Sequence, residues 1–273
     1  MAARFLVVPQ WQASGSSRAM RLVDGAEAIR GDLPSATTTT VVVPLESGDS
    51  QGTTVNRLSS IALVRDRVAQ ALAEQLGPTI VIGGDCGVEV GAIGHVSDRD
   101  VTVVWFDAHP DLNTPESSPS HAFNGMVLRT ILGDGPAQLV PAVPLSPTRL
   151  VLVGARSFDP AEDEYIAGNG VRSVGVDGFS AEALVAAVEA TGATSVYVHI
   201  DLDVLDPGEF AGLGDPAPFG LGAGALIDAL KVLLARFALA GAAITEFAPA
   251  SVEAAVEDLP TILRIVGALA AAS

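Results

Sequence analysis

Short β-branched and apolar runs recur along the chain, at residues 5–8, 39–43, 79–82, 101–106, 150–153, 195–200 and 243–245. Each is bounded by polar or turn-forming residues and reads as a buried strand. Between several of them lie stretches with helical spacing of apolar positions, at residues 56–75, 181–190 and 221–239, with a further one at 259–272. Asp228, Lys231 and Arg236 interrupt the apolar region 221–244 at intervals that leave one helical face wet. Strands alternating with helices imply parallel strands covered on both faces. The expected fold is α/β, a three-layer sandwich around a mainly parallel central sheet. The Gly- and Pro-rich segments 133–147 and 207–224 read as surface loops, and neither separates regions of different composition, so residues 1–273 are expected to form a single domain without internal repeats.

The positions that follow the strands carry the chemistry. Ile82 is followed by Gly83-Gly84-Asp85-Cys86, Phe106 by Asp107-Ala108-His109-Pro110-Asp111, Ile200 by Asp201-Leu202-Asp203, and Ile244-Thr245 by Glu246. Ligands of open parallel sheets bind beyond the carboxyl ends of the strands, so these four segments are expected on one rim. Carboxylates crowded there would repel one another and hold protons unless cations lay between them, which makes metal ions the simplest occupant. Extended backbone sends alternate side chains to one side. Asp107, His109 and Asp111 are therefore expected to face one point, with Pro110 biasing His109 toward extended conformations, and Asp201 and Asp203 to do the same. Five such ligands exceed the usual needs of one catalytic ion, and two of the Asp could each bridge a pair of metals about 3.5–4 Å apart. An isolated Asp-x-Asp is ordinarily a solvated loop or a helix cap. The second motif after another apolar strand, together with Glu246, outweighs that reading. His95, in a helix-to-loop stretch, and His199, inside a strand, are expected to be structural.

Charge narrows the partners. Fifteen Lys and Arg against 32 Asp and Glu give a formal net charge of −17, which disfavours nucleic acid and anionic membranes and attracts small cations. Cys86 is the only cysteine; it cannot form an intramolecular disulfide, which fits a reducing compartment and leaves the thiol free. The opening residues 1–11 form an apolar stretch too short for a secretory signal or a membrane span. A cytoplasmic protein is expected, as a monomer or a homo-oligomer, because no long tail follows the last helical stretch to wrap a neighbour.

The segments Gly83-Gly84-Asp85-Cys86, Asp107-Ala108-His109-Pro110-Asp111-Leu112-Asn113-Thr114, His199-Ile200-Asp201-Leu202-Asp203-Val204-Leu205-Asp206-Pro207 and Glu246-Phe247-Ala248-Pro249 resemble, in order and spacing, the ureohydrolase family of arginases and agmatinases. The resemblance covers nearly the whole chain. It implies a centre of two Mn2+ ions in which Asp107 and Asp201 bridge, His109 and Asp203 complete one ion, and Asp111 with Cys86 completes the other. It also implies that Glu246 holds the guanidinium group of the substrate and that Asp203 delivers a proton to the leaving amine. Asn113 and Ser120 match positions that contact the α-carboxylate in arginases. The run Val153-Gly154-Ala155-Arg156-Ser157-Phe158-Asp159-Pro160 resembles a segment whose Asp, here Asp159, contacts the α-amino group. A guanidino amino acid is thereby favoured over decarboxylated agmatine as the small-molecule partner. Ordinary loop capping is the alternative role for Asn113, Ser120 and Asp159.

Two positions depart from the family. Cys86 stands where members normally have His, and soft sulfur suits zinc, iron or copper better than manganese. Asn124 stands where an arginase segment carries a catalytic His, and an amide cannot shuttle protons as imidazole can. His121, three residues earlier, replaces it only if the loop folds differently. Both departures weaken machinery that arginine demands and point to a more electrophilic N-hydroxyguanidine. A cysteine at this ligand position resembles the amidinohydrolases of antibiotic biosynthesis that cleave Nω-hydroxy-L-arginine to hydroxyurea and L-ornithine. The alternatives are a plain arginase, another guanidino-acid hydrolase, or a non-catalytic amino-acid-binding protein.

Overall fold

The computed structural model describes residues 3–273; Met1 and Ala2, which open the apolar N-terminal stretch, lie outside them. The elements run β1 (Arg4–Val8), α1 (Met20–Gly31), β2 (Thr38–Thr40), α2 (Leu58–Ala73), β3 (Thr79–Gly83), α3 (Glu89–Gly94), β4 (Val101–Phe106) and α4 (Val127–Ile131), then β5 (Leu150–Val153), α5 (Pro160–Asn169), β6 (Arg172–Val174), α6 (Ala181–Glu189), β7 (Ser195–Asp201), α7 (Ala223–Arg236), β8 (Ala238–Thr245) and α8 (Val252–Ala270). The eight strands form one sheet in the order β2-β1-β3-β8-β7-β4-β5-β6, and every pairing is parallel. Parallel strands force a crossover between neighbours, and the helices supply it on both faces.

The pleat divides the core in two. Val104, Phe106, Val198 and Ile200 face one layer with residues of α1, α6, α7 and α8. Val103, Trp105 and Tyr197 face the other with α2, α3 and α4. Helix α2 shows how pattern becomes packing: Leu58, Ile61, Val64, Val68 and Leu72 recur at three and four residues and are buried. In α7 the polar positions Asp228, Lys231 and Arg236 are exposed while Leu226, Ile227, Leu230 and Leu233 are buried. Among the described residues no helix is long and apolar enough to cross a membrane.

β2, β8, α8 and β6 depart furthest from the sequence reading. β2 ends at Thr40, and beyond it only Val41 keeps a bond to the sheet, from its N–H to the carbonyl of Val7. β8 begins at Ala238, inside the stretch expected to be helical, because its Ala- and Gly-rich half lies between β3 and β7, where neighbours on both sides supply the ladder. α8 begins at Val252 with the Ser251 side chain accepting from the Ala254 N–H, and Pro260 sits inside it instead of opening it. The edge strand β6, Arg-Ser-Val, has one buried residue and gave no apolar signal.

Candidate metal centre

The four segments singled out in the sequence follow β3, β8, β7 and β4, which are the four central strands and adjacent in that order. Their registers align as well: Ile82 pairs with Ile244, Ile244 with Ile200, and Ile200 with Phe106. The chain therefore leaves four neighbouring strands at one level, and the polar residues that follow meet there.

Strand alternation is not what converges them. In place of the expected extended backbone, each segment turns at once, and in three of the four an Asp side chain closes the turn. The Asp85, Asp107 and Asp201 carboxylates accept from the N–H groups of Gly87, His109 and Asp203, at 2.9, 2.6 and 2.8 Å. Asp111 and Glu246 have φ of 52° and 63°, left-handed values rare for residues with a side chain. Gly84 has to be glycine, since a Cβ there would lie 1.8 Å from the Gln10 carbonyl oxygen. That close approach lets the Gly84 carbonyl accept from the Glu246 N–H at 2.7 Å.

Two groups of ligand atoms result. Asp107, His109 and Asp203 form one; Cys86, Asp107, His199 and Asp201 form the other, their donor atoms all within 4.8 Å of one another. In the first, His109 Nδ1 lies 2.9 Å from Asp203 Oδ2 and 3.6 Å from Asp107 Oδ1. Asp203 Oδ1 also accepts from the Ala108 N–H at 2.9 Å. In the second, the Cys86 thiol donates to Asp201 Oδ2 at 3.2 Å, and its sulfur lies 3.3 Å from Thr245 Oγ1 and 3.8 Å from His199 Nε2. His199, expected to be structural from its place inside a strand, thus lies in a group that could hold a metal ion. The period of two along β7 carried the signal, since His199 and Asp201 share a face. Asp111 is buried beside this group but outside both clusters.

The donor set suits a pair of cations. Burial first, then the charge of Asp203, pushes the Asp107 carboxyl up to about 6. Burial and neighbouring carboxylates push Asp111, Asp201, Glu246 and the Cys86 thiol well up. His109 moves the opposite way to its burial: hydrogen bonds and charges of Asp107 and Asp203 raise it to about 12. Asp203, although buried, is held low by His109. Five carboxylates thus crowd round one imidazole, an excess of negative charge that cations would balance, and these oxygen, nitrogen and sulfur donors fit divalent metal ions.

A cleft of about 150 Å³ opens above them, lined by Cys86, His109, Asp111, Asp201, Asp203 and Glu246 on the floor and by Asn113, Ser120, Asn124, Asp159 and Glu162 toward the mouth. Asn113 Nδ2 donates to Asp159 Oδ2 at 2.8 Å, joining the loop after β4 to the start of α5. The buried Glu162 locks that junction by accepting from the N–H groups of Leu112 and Asp159, both at 2.9 Å. Burial raises it to about 7. It was missed in the sequence, although Asp159-Pro160-Ala161-Glu162 has the spacing of a helix-capping box. Ser120 Oγ accepts from the Ala122 N–H at 3.2 Å, a local turn contact. His121 is exposed and is not among the lining residues, so the structure does not bring it to the cleft with Asn124. His95 ends α3 and lies 3.3 Å from Arg99 Nη2, away from the centre.

The Arginase family pattern matches residues 18–262. Among individual proteins, an arginase of Bacillus subtilis is 31% identical over 181 residues, 61% of this chain and 61% of its own length. The match thus spans about three fifths of that relative. An arginase of Entamoeba histolytica is 32% identical over 213 residues, covering 71% of this chain and 70% of the relative. The crystal structure of the Entamoeba histolytica arginase in complex with L-ornithine superposes with a TM-score of 0.87 at 23% identity, over 98% of this chain and 97% of that one.

Proposed function

Because the chain belongs to the arginase family, we propose that it is an amidinohydrolase with two Mn2+ ions that cleaves Nω-hydroxy-L-arginine to hydroxyurea and L-ornithine. The observation that carries the reading is one cleft lined both by the ligand clusters and by the joined pair Asn113 and Asp159. That pair suits the two charges of an α-amino acid head, with Ser120 beside it. The Entamoeba relative, crystallised with L-ornithine, supports an amino-acid product.

Asp107 and Asp201 would bridge the ions, His109 and Asp203 would complete one, and Cys86 with Asp111 the other. When bound, the ions supply Lewis acidity that brings the pKa of water toward neutrality. Glu246, held by the Cys86 N–H at 3.3 Å, would receive the guanidino group and orient its carbon. Water adds to that carbon, the bond to the ornithine δ-nitrogen breaks, and the departing nitrogen needs a proton to leave as an amine. The resemblance gives Asp203 the role of passing it on. Asn124 cannot relay protons, which is why a less basic, more electrophilic N-hydroxyguanidine suits this cleft better than L-arginine. L-arginine remains the second reading because the relatives are arginases. The near-complete set of ligand residues counts against a non-catalytic binding protein.

The test measures ornithine release from Nω-hydroxy-L-arginine and L-arginine at equal manganese and pH, with agmatine hydrolysis followed alongside. A tenfold preference for the hydroxylated substrate requires only about 1.4 kcal/mol of differential transition-state stabilisation. Equal or better turnover of L-arginine overturns the substrate assignment, and turnover of agmatine overturns the head-group clamp.

A further inference from the structure

The sequence left His199 without a role, yet its ring is held on two sides by a carboxylate and an indole. It is fully buried, and its Nδ1 lies 2.7 Å from Glu89 Oε1. Glu89 is also fully buried, and its second oxygen accepts from the Tyr197 hydroxyl at 2.6 Å. The Trp105 indole stacks on the imidazole, with centroids 3.5 Å apart and planes at 18°, while its own N–H donates to Asp107 Oδ2 at 2.9 Å. One aromatic ring therefore braces two members of the same cluster.

We propose that His199 is itself a metal ligand, binding through Nε2 and completing the buried half of the centre with Cys86, Asp107 and Asp201. A carboxylate at Nδ1 selects the tautomer that carries its proton there, which leaves the Nε2 lone pair free on the cluster side. That nitrogen, the Cys86 sulfur and one oxygen each of Asp107 and Asp201 are mutually within 4.8 Å. A carboxylate behind a histidine is the usual support of a metal-bound imidazole, fixing its orientation and raising its basicity. Glu89 and Tyr197, on α3 and β7, supply that support from inside the sheet–helix interface, where neither can reach substrate. A nitrogen donor also offsets the mismatch between sulfur and manganese, because imidazole accepts a wider range of metals than thiolate does. Asp111, outside the quartet, keeps the place beside Cys86 that the proposed function gives it, so His199 adds a ligand and replaces none.

The inference rests on the metal-dependent reading above, and its test separates the two. A manganese-edge anomalous map of wild-type crystals grown with Mn2+ should place one ion about 2.1 Å from His199 Nε2, a metal–imidazole bond length. In solution, His199→Gln should drop bound manganese from two equivalents to one, measured on folded protein by equilibrium dialysis. Glu89→Gln should keep both ions but weaken one about 10- to 100-fold. Wild-type protein that binds two ions with none near His199 Nε2 overturns this ligand and leaves the enzyme reading standing. Wild-type protein that binds no manganese overturns both. The map needs no variant, so a His199→Gln chain that fails to fold does not protect the proposal.

Discussion

The two halves of the centre share Asp107 but balance their charge by opposite means. In the half made with His109 and Asp203, the imidazole is partly open, with 28% of its side chain exposed. It is raised to about 12 by the two carboxylates beside it, while Asp203 is held low. That half carries its own cation. In the half with Cys86, His199 and Asp201, every side chain is buried, and burial and neighbouring carboxylates push both the thiol and Asp201 up. There burial favours the protonated forms of sulfur and carboxyl. The open half can exchange one proton on His109 for a metal, whereas the buried half must release protons from sulfur and carboxyl before it can ligate.

The shared residue is where the comparison breaks hardest. Asp107→Ala removes a donor from both halves, so both ions should leave and kcat/KM should fall by on the order of 10³, about 4 kcal/mol. Metal analysis beside steady-state kinetics checks it. An Asp107→Ala protein that keeps one tightly bound ion would show that the halves are independent.

Burial of carboxyls has a consequence for stability. Asp85 and Asp107 are raised to about 6 and Glu162 to about 7, in each case chiefly by burial. A group raised in the folded state contributes stability below its unfolded pKa and loses it as pH climbs through the folded value. In metal-free protein the melting temperature should therefore decline from about pH 4.5 to pH 7.5, and His109 pulls the same way above pH 6.5. Added manganese should remove the Asp107 and His109 shares of the decline and leave those of Asp85 and Glu162, which lie outside both groups. A metal-free protein whose Tm rises across that range would refute the account of these buried carboxyls.

Toward the mouth the expected effects shrink. Asp159→Ala removes the partner of Asn113 and, in the proposed function, a contact to the α-amino group, so KM should rise about tenfold with kcat little changed, as for loss of uniform binding. The variant keeps the Glu162 contacts to the N–H groups of Leu112 and residue 159, which holds the loop in place. A fall in kcat with KM unchanged would put Asp159 in the chemistry instead.

These contrasts also mark what the sequence could tell. The rim was legible because four apolar runs end in polar motifs, and a parallel sheet delivers such ends to one edge. The means of convergence was not legible: the Asp-closed turns at Asp85, Asp107 and Asp201 depend on backbone leaving the strand, which alternation cannot express. His199 was hidden because its neighbours in the chain are apolar strand residues, and its significance lies in Glu89, Trp105 and Cys86, which come from three other segments. Glu162 was hidden by distance in the same way, fifty residues from the Leu112 N–H it accepts from. Local patterns reveal the elements and their ends; partners that meet across the sheet appear only in three dimensions.

The finest cut between the halves is Cys86→His. Sulfur is a poor match for manganese, and a second imidazole in the buried half should bind it better. The gain is limited, because the quartet already holds one imidazole nitrogen in His199 and because the Cys86 side chain is buried against Asp201, Thr245 and His199, leaving little room for a larger ring. An increase of about three- to tenfold in affinity at the buried half, with the His109 half unchanged, is the expected result, about 0.7–1.4 kcal/mol. Two-site titration with Mn2+ followed by calorimetry resolves the halves. Equal affinity in wild type and Cys86→His would put the sulfur outside the ligand set and leave His199, Asp107 and Asp201 to hold that ion. A change at the His109 half alone would mean that the two halves had been assigned the wrong way round.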